Sequence, residues 1–196
     1  MDQETVRFYN AEARDYARYA AGERRGPWLE TFLERLAPGA RVLDFGCGSG
    51  WAAASIVAAG HEVAALDASQ GLAAEASARY GLAVRTAAFS EFDERETFDA
   101  VWASFSLLHD TRTAFPGHIA RLAAALRPGG LLYLGLKEGT GRARDRLGRL
   151  YTYFCEDEIR EALDRAGFAP PEIDRETGTD YAGAPTRFLH VFARRR

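Results

Sequence analysis

The sequence predicts an α/β fold, a doubly wound and largely parallel sheet with helices on both faces. Three observations carry this. Apolar, strand-like runs alternate with helix-like segments from about residue 41 to residue 136, the order that joins parallel strands through crossover helices. The first run, Val42-Leu43-Asp44-Phe45, leads into Gly46-Cys47-Gly48-Ser49-Gly50, with glycine at alternate positions. The second, Val63-Ala64-Ala65-Leu66-Asp67, ends in another acid. A strand that passes through such a turn into a helix lets main chain approach a ligand closely, and the helix points its free N–H groups at it.

Residues 1–25 read as an amphipathic helix or pair of helices, with Val6, Phe8, Tyr9, Tyr16 and Tyr19 among charges. Gly26-Pro27 breaks that segment, and another helix over 28–36 leads to the first strand. Strands are expected near 41–45, 62–66, 82–86, 98–103 and 130–136, and helices near 50–59, 70–79, 114–126 and 156–166. Pro128 is expected to stop the helix before it, and Gly129 and Gly130 to allow a tight reversal. Two candidate strands near 171–177 and 186–194 close the chain. The expected organisation is one domain: a helical cap over 1–38, a cofactor-binding core over 39–136, a possible substrate-side insertion over 137–155, and a C-terminal helix and strands over 156–196.

At 196 residues the chain can bury a sizeable single core. A formal net charge of −3 gives no general attraction to nucleic acid. No apolar stretch approaches a membrane span, and Asp2, Glu4 and Arg7 argue against a signal peptide, so the cytoplasm is the expected setting. The two cysteines, Cys47 and Cys155, read as reduced thiols. Cysteines and histidines stand at irregular intervals, so no metal site is expected.

The glycine spacing separates two ligand classes. The dinucleotide fingerprint G-x-G-x-x-G/A fits Gly46 and Gly48, but its last position falls on Trp51, whose indole would block close helix–strand packing. From Asp44 to Gly50 the chain instead reads D-x-G-x-G-x-G. That heptad resembles motif I of the class I S-adenosylmethionine-dependent methyltransferases. Phe98-Asp99-Ala100-Val101-Trp102-Ala103-Ser104 and the loop to His109 resemble the family's motif IV, and Leu126-Arg127-Pro128-Gly129-Gly130 resembles the turn before its fifth strand. The resemblance spans roughly residues 40–136, and among small members the chain is similar to compact tellurite-resistance-type domains. It implies a Rossmann-like sheet of seven strands with the last two as an antiparallel edge hairpin. It also implies S-adenosylmethionine as cofactor, S-adenosylhomocysteine as product, and in-line methyl transfer to a small molecule. A nicotinamide-dependent oxidoreductase and a non-catalytic cofactor-binding scaffold or sensor are the alternatives.

On this reading Asp44, Gly46, Cys47, Gly48 and Gly50 cradle the cofactor. Asp67 lies 17 residues past Gly50, about where a βαβ unit places the acid that holds a ribose, with Ala68 and Ser69 beside it; a strand-end Asp or a helix cap is the other reading. Many relatives carry an acid after the third strand for the adenine amino group. Here none precedes Glu91, which leaves backbone near Ala88 and Phe89, with Phe89 as an apolar wall. Ser104 ends the fourth strand. These positions all lie at strand C-terminal ends and are expected to meet in one crevice.

Two segments are expected to roof that crevice. Tyr9 and Tyr16 could reach the cofactor or simply pack their helix on the domain. The stretch 137–149 holds Arg142, Arg144, Arg146 and Arg149, read as an exposed, charge-mixed loop in preference to an anion site. Tyr151 and Tyr153 suit either a pocket or the core. His109 and Tyr153 are the catalytic candidates, and a structural His109 is as consistent with its place. Cys47 reads as a small packing residue, His61 and His118 as residues of surface turns, and His190 as part of the last strand.

Overall fold

The computed structural model describes residues 1–22 and 26–196. Two helices open it, α1 (Gln3–Ala11) and α2 (Ala13–Gly22), followed by α3 (Pro27–Glu34). The expected N-terminal helical segment is thus a pair; its last residues, 23–25, lie outside the described residues. Asp2 caps α1 by accepting the Thr5 N–H, and Pro27 starts α3, where its missing N–H costs nothing.

Then follow β1 (Arg41–Phe45), α4 (Trp51–Ala58), β2 (Glu62–Asp67), α5 (Gln70–Tyr80), β3 (Val84–Thr86), β4 (Phe98–Ser104), α6 (Phe115–Ala125) and β5 (Leu126–Lys137). A short ribbon, β6 (Arg142–Arg144) and β7 (Leu150–Thr152), precedes α7 (Glu156–Arg165), β8 (Glu172–Thr179) and β9 (Pro185–Arg194). The main sheet has seven strands in the order β3-β2-β1-β4-β5-β9-β8. Strands β1 to β5 pair in parallel, while β9 runs antiparallel to both β5 and β8. The doubly wound sheet is the one the sequence predicts, and the antiparallel edge hairpin is the one the family resemblance implies.

Alternation along the strands divides the core into two layers. Leu43, Phe45, Val101, Leu132 and Leu134 face Ile119 and Leu122 of α6 and Ile159 and Leu163 of α7. Val42, Ala100, Trp102, Leu131 and Tyr133 face Leu29 and Phe32 of α3 and Ala52 and Ile56 of α4. The strand order turns back between β1 and β4, so their C-terminal ends open a crevice there.

Two local expectations change. Pro128 does not end the helix: α6 stops at Ala125 and pairing with β4 has begun at Phe98↔Leu126. Register then jumps to Ala100↔Leu131, so Pro128-Gly129-Gly130 forms a bulge within β5. A proline that cannot donate to the ladder and a glycine at φ +78° suit that place. The segment 137–155 is not a plain connection either, because β6 and β7 pair from Arg142↔Thr152 to Arg144↔Leu150. Strands three residues long are too brief to leave a periodic signal.

Candidate functional site

The three loop glycines hold positive φ, +84° at Gly46, +54° at Gly48 and +82° at Gly50. They serve different ends. A Cβ on Gly46 would stand 2.3 Å from Ser106 Cβ, and one on Gly50 would stand 2.7 Å from Leu82 and 2.8 Å from Ala76. These two let neighbouring loops close. At Gly48 the nearest atom lies 3.8 Å away, on Tyr16, so its bare main chain faces open space. The loop is tied to β2: Gly46 and Cys47 donate to Leu66 O at 2.8 and 3.0 Å. Asp67 Oδ2 accepts the Gly48 N–H at 2.7 Å, and Oδ1 accepts the Ser69 N–H at 2.8 Å. Asp67 therefore shapes the loop as well as facing the crevice, a task that sequence alone does not reveal.

A cavity of about 550 Å³ opens at this point. Among the sequence-predicted residues, Tyr9, Tyr16, Asp44, Gly46, Cys47, Gly48, Asp67, Ser69, Phe89, Ser104 and His109 line it. Gly50, Ala68 and Ala88 do not: Gly50 is turned into α5, and Ala88 N–H is taken by Glu91 at 2.7 Å. Tyr153 does not line it either. The ribbon folds back toward the turn between β8 and β9, so Tyr153 lines a separate depression with Asp180 and Pro185. No residue of 137–155 lines the main cavity.

The charged side chains of the cavity are acidic among the described residues. Among the described residues its lining carries Asp44, Asp67 and Glu176 and no lysine or arginine. Burial, then the neighbouring Asp67 carboxylate, push the Asp44 acid up to about 8. Burial also raises Asp67, opposed by the N–H groups of Ser69 and Gly48. Asp44 Oδ2 and Ser49 Oγ are buried without a hydrogen-bond partner among the described residues. A buried polar atom left unpaired costs about 1–3 kcal/mol, which a donor-bearing cationic ligand would recover. Cys47 is buried and its thiol is pushed up by burial and by Asp44, which makes it a poor nucleophile.

His109 is held on both nitrogens. Nδ1 lies 2.7 Å from Leu150 O, which assigns the proton there, and Nε2 lies 3.1 Å from the Tyr9 hydroxyl. Burial drives it down to about 4, so it is a neutral, committed imidazole with no lone pair left for a substrate. The Tyr9 hydroxyl in turn accepts from Arg149 Nη1 at 3.1 Å. Arg149 is fully buried and pairs with Asp145 at 2.6 Å. This corrects the reading of the arginines as exposed: it holds for Arg142, Arg144 and Arg146, and fails for Arg149, which the ribbon folds inward among Phe8, Tyr9, Tyr151 and Tyr181. Tyr151 is buried in the main core.

The N-terminal helices form the roof. Asn10 Oδ1 accepts from Ser69 Oγ at 2.8 Å and from Gly71 N at 3.0 Å, docking α1 onto the start of α5. Leu150 N donates to Thr5 Oγ1 at 2.9 Å, docking it onto the ribbon. Tyr16 meets Tyr9 and Tyr181 edge-on at 5.1 and 5.2 Å. His118, expected on a surface turn, is buried in α6 and lies 2.8 Å from Asp110. His61 does follow α4 in a turn, half-buried.

Sequence reading missed the far wall, made by Trp28, Phe105, Tyr133, Glu176, Phe188 and His190. Of these, Trp28 comes from α3, Tyr133 from β5, Glu176 from β8, and Phe188 and His190 from β9; no local pattern links positions so far apart. Only the edge hairpin brings them together.

Residues 42–130 match a family described as a methyltransferase domain. A search of curated proteins finds no match. Among solved structures, the chain is similar to the Burkholderia thailandensis 1,6-didemethyltoxoflavin-N1-methyltransferase, bound to 1,6-didemethyltoxoflavin and S-adenosylhomocysteine. The TM-score is 0.76 at 29% identity, over 97% of this chain and 86% of that one. It is also similar to a TehB-like S-adenosylmethionine-dependent methyltransferase from Corynebacterium glutamicum (TM-score 0.71, 19% identity, 95% and 99% covered). An S-adenosylmethionine-dependent methyltransferase from Mesorhizobium loti superposes with a TM-score of 0.68 at 23% identity, over 89% and 99%.

Proposed function

We propose that the chain is a class I S-adenosylmethionine-dependent methyltransferase that methylates a small molecule enclosed in the cavity at the sheet's switch point. The observation that carries this is the shape of the site: one roofed cavity runs from the glycine loop to an aromatic far wall. The Burkholderia relative, solved with bound 1,6-didemethyltoxoflavin and S-adenosylhomocysteine, lends support. The lining, with carboxylates and no lysine or arginine among the described residues, also suits a cationic cofactor and ill suits the pyrophosphate of a nicotinamide dinucleotide.

We assign the methionine half of the cofactor to the main chain at Gly46, Cys47 and Gly48, and its amino group to Asp44 Oδ2 and Ser49 Oγ, two orphaned buried atoms beside the glycine loop. Asp67 would hold the ribose and Phe89 would border the adenine, with Tyr9 and Tyr16 above. When bound, S-adenosylmethionine supplies an electrophilic methyl carbon on a sulfonium leaving group. The protein's part is to align the acceptor and exclude water, and such alignment contributes about 7–11 kcal/mol.

Methyl-labelled cofactor, incubated with the protein and a fractionated cell extract, is expected to deliver label to the low-mass fraction. Label in protein or nucleic acid instead would overturn the small-molecule reading.

Two results are expected at the cofactor end. Asp67→Ala should weaken S-adenosylhomocysteine by about 1–3 kcal/mol in calorimetry, the worth of a charge-assisted hydrogen bond; unchanged affinity would remove Asp67 from the ribose. Asp44 links binding to pH. Its folded-state acid sits at about 8, above the unfolded 3.8, so the free protein keeps a proton that the unfolded chain has lost. That proton's contribution to stability is present at low pH and declines as pH rises from about 4 to about 8. A cationic ligand beside Asp44 favours the carboxylate. Binding near pH 7 should therefore release close to one proton, seen as a dependence of binding heat on the buffer's ionisation enthalpy. Heat independent of the buffer would place the amino group elsewhere.

A further inference from the structure

The far wall of the cavity is an aromatic frame around one carboxylate. Trp28 stacks on His190 at 4.1 Å with the planes 8° apart. Phe105 meets His190 and Phe188 edge-on at 5.9 and 5.2 Å. Phe105 holds φ +52°, a conformation that non-glycine residues enter at a cost and that gathers at functional sites. Gly135 makes that approach possible, since a Cβ there would stand 3.2 Å from the Phe105 ring.

Glu176 enters this frame from the edge strand. Its Oε2 accepts the Trp28 indole N–H at 2.6 Å and lies 3.1 Å from His190 Nε2, close in distance but not aligned as a hydrogen bond. Its Oε1 has no partner among the described residues, and the side chain is half exposed. His190 Nδ1 lies 2.8 Å from the Tyr133 hydroxyl, which has the Ser104 side chain beside it. The carboxylate beside Nε2 favours a proton there, so Tyr133 donates to Nδ1. A continuous line of side chains thus runs from Ser104, at the end of β4, through Tyr133 and His190 to Glu176.

We propose that Glu176 is a catalytic residue of the methyl transfer, the base that takes the proton of a planar aromatic or heteroaromatic acceptor carrying a ring N–H or O–H, with Trp28 and His190 as positioning residues. This rests on the small-molecule reading above. Ring faces and edges line the space, which selects a flat acceptor, and the lack of lysine or arginine among the described residues of the lining disfavours carboxylic acids and phosphates. A neutral N–H or O–H is a weak nucleophile until its proton leaves. As the new bond from nitrogen or oxygen to the methyl carbon forms, the carbon–sulfur bond breaks with its electron pair left on sulfur. The acceptor's proton passes to Glu176 Oε1 and, because the carboxylate is half exposed, on to water. General-base assistance of this kind contributes about 10²–10⁴-fold.

The test supplies methyl-labelled S-adenosylmethionine to wild type, Glu176→Gln and His190→Gln. The acceptors are xanthine, catechol and 4-hydroxyquinoline, set against hexylamine, hexanethiol and hexanoic acid. Label is expected in the planar set. Glu176→Gln should lower kcat about 10²-fold with acceptor KM little changed and S-adenosylhomocysteine affinity intact. It should also abolish the acid limb of the kcat/KM profile, whereas His190→Gln lowers kcat and keeps that limb. Among the described residues, the charged and titratable groups facing Glu176 and His190 are Tyr133 from β5 and Asp174 from β8, and neither changes in these variants. Transfer to the aliphatic set alone, no transfer to either set, or full turnover by Glu176→Gln would overturn the proposal. Failure of the wild type to bind S-adenosylhomocysteine would instead be the failure of the cofactor assignment beneath it.

Discussion

Gly48→Val is expected to fold and to lose the cofactor. Gly48 sits at φ +54° with its missing side chain directed at open space, the nearest atom being 3.8 Å away on Tyr16. A branched side chain there fills the opening in front of the loop. Affinity for S-adenosylhomocysteine should fall by about 3–4 kcal/mol, roughly two to three powers of ten. The left-handed backbone adds a stability cost of about 1–3 kcal/mol, which a control can subtract. Gly60 has φ +90° with nothing within 4 Å of its virtual Cβ, and it does not line the cavity. Gly60→Val should therefore show a similar stability loss in urea unfolding and normal binding in calorimetry. Normal binding by Gly48→Val would move the cofactor away from this loop.

Arg149→Met should be the most destabilising single change among the polar residues of the roof. The guanidinium is fully buried, bonds Asp145 at 2.6 and 2.9 Å, donates to the Tyr9 hydroxyl, and lies 5.1–5.8 Å from the ring centres of Phe8, Tyr9, Tyr151 and Tyr181. Methionine keeps much of the volume and leaves the Asp145 carboxylate buried without its partner. Breaking such a pair costs about 3–5 kcal/mol. The double variant Asp145→Asn with Arg149→Met should recover part of that loss, since it removes the stranded charge. Urea unfolding of the three proteins measures this; a loss under about 1 kcal/mol, the value of a surface pair, would mean that Arg149 does not hold the roof. Because Tyr9 links Arg149 to His109, cofactor release from Arg149→Met should also be faster.

The expectations about the roof divide along one line. Tyr9 and Tyr16 were legible as a cap because they stand on an amphipathic helix. What Tyr9 does was not legible, because its partners His109 and Arg149 lie 100 and 140 residues away. The same distance hid the character of Arg149. Four arginines in a short stretch look alike until β6 and β7 pair and turn one of them inward. The motif IV histidine read as a base or a structural group; contacts on both ring nitrogens decide for the second.

The chain's local order by itself determined the sheet, the glycine cradle and the acids at the ends of β1 and β2. Each of these follows from neighbours within a few residues: a period of two or 3.6, a glycine where φ must be positive, a polar group where a buried strand emerges. The far wall, the orphaned atoms beside the loop and the tie between Asp67 and Gly48 were decided only by tertiary structure. They arise where β8 and β9 return antiparallel to β5 and where β1 and β2 lie side by side. Burial and distance, the two quantities that set a side chain's charge and reach, are properties of that arrangement, and a linear sequence does not contain them.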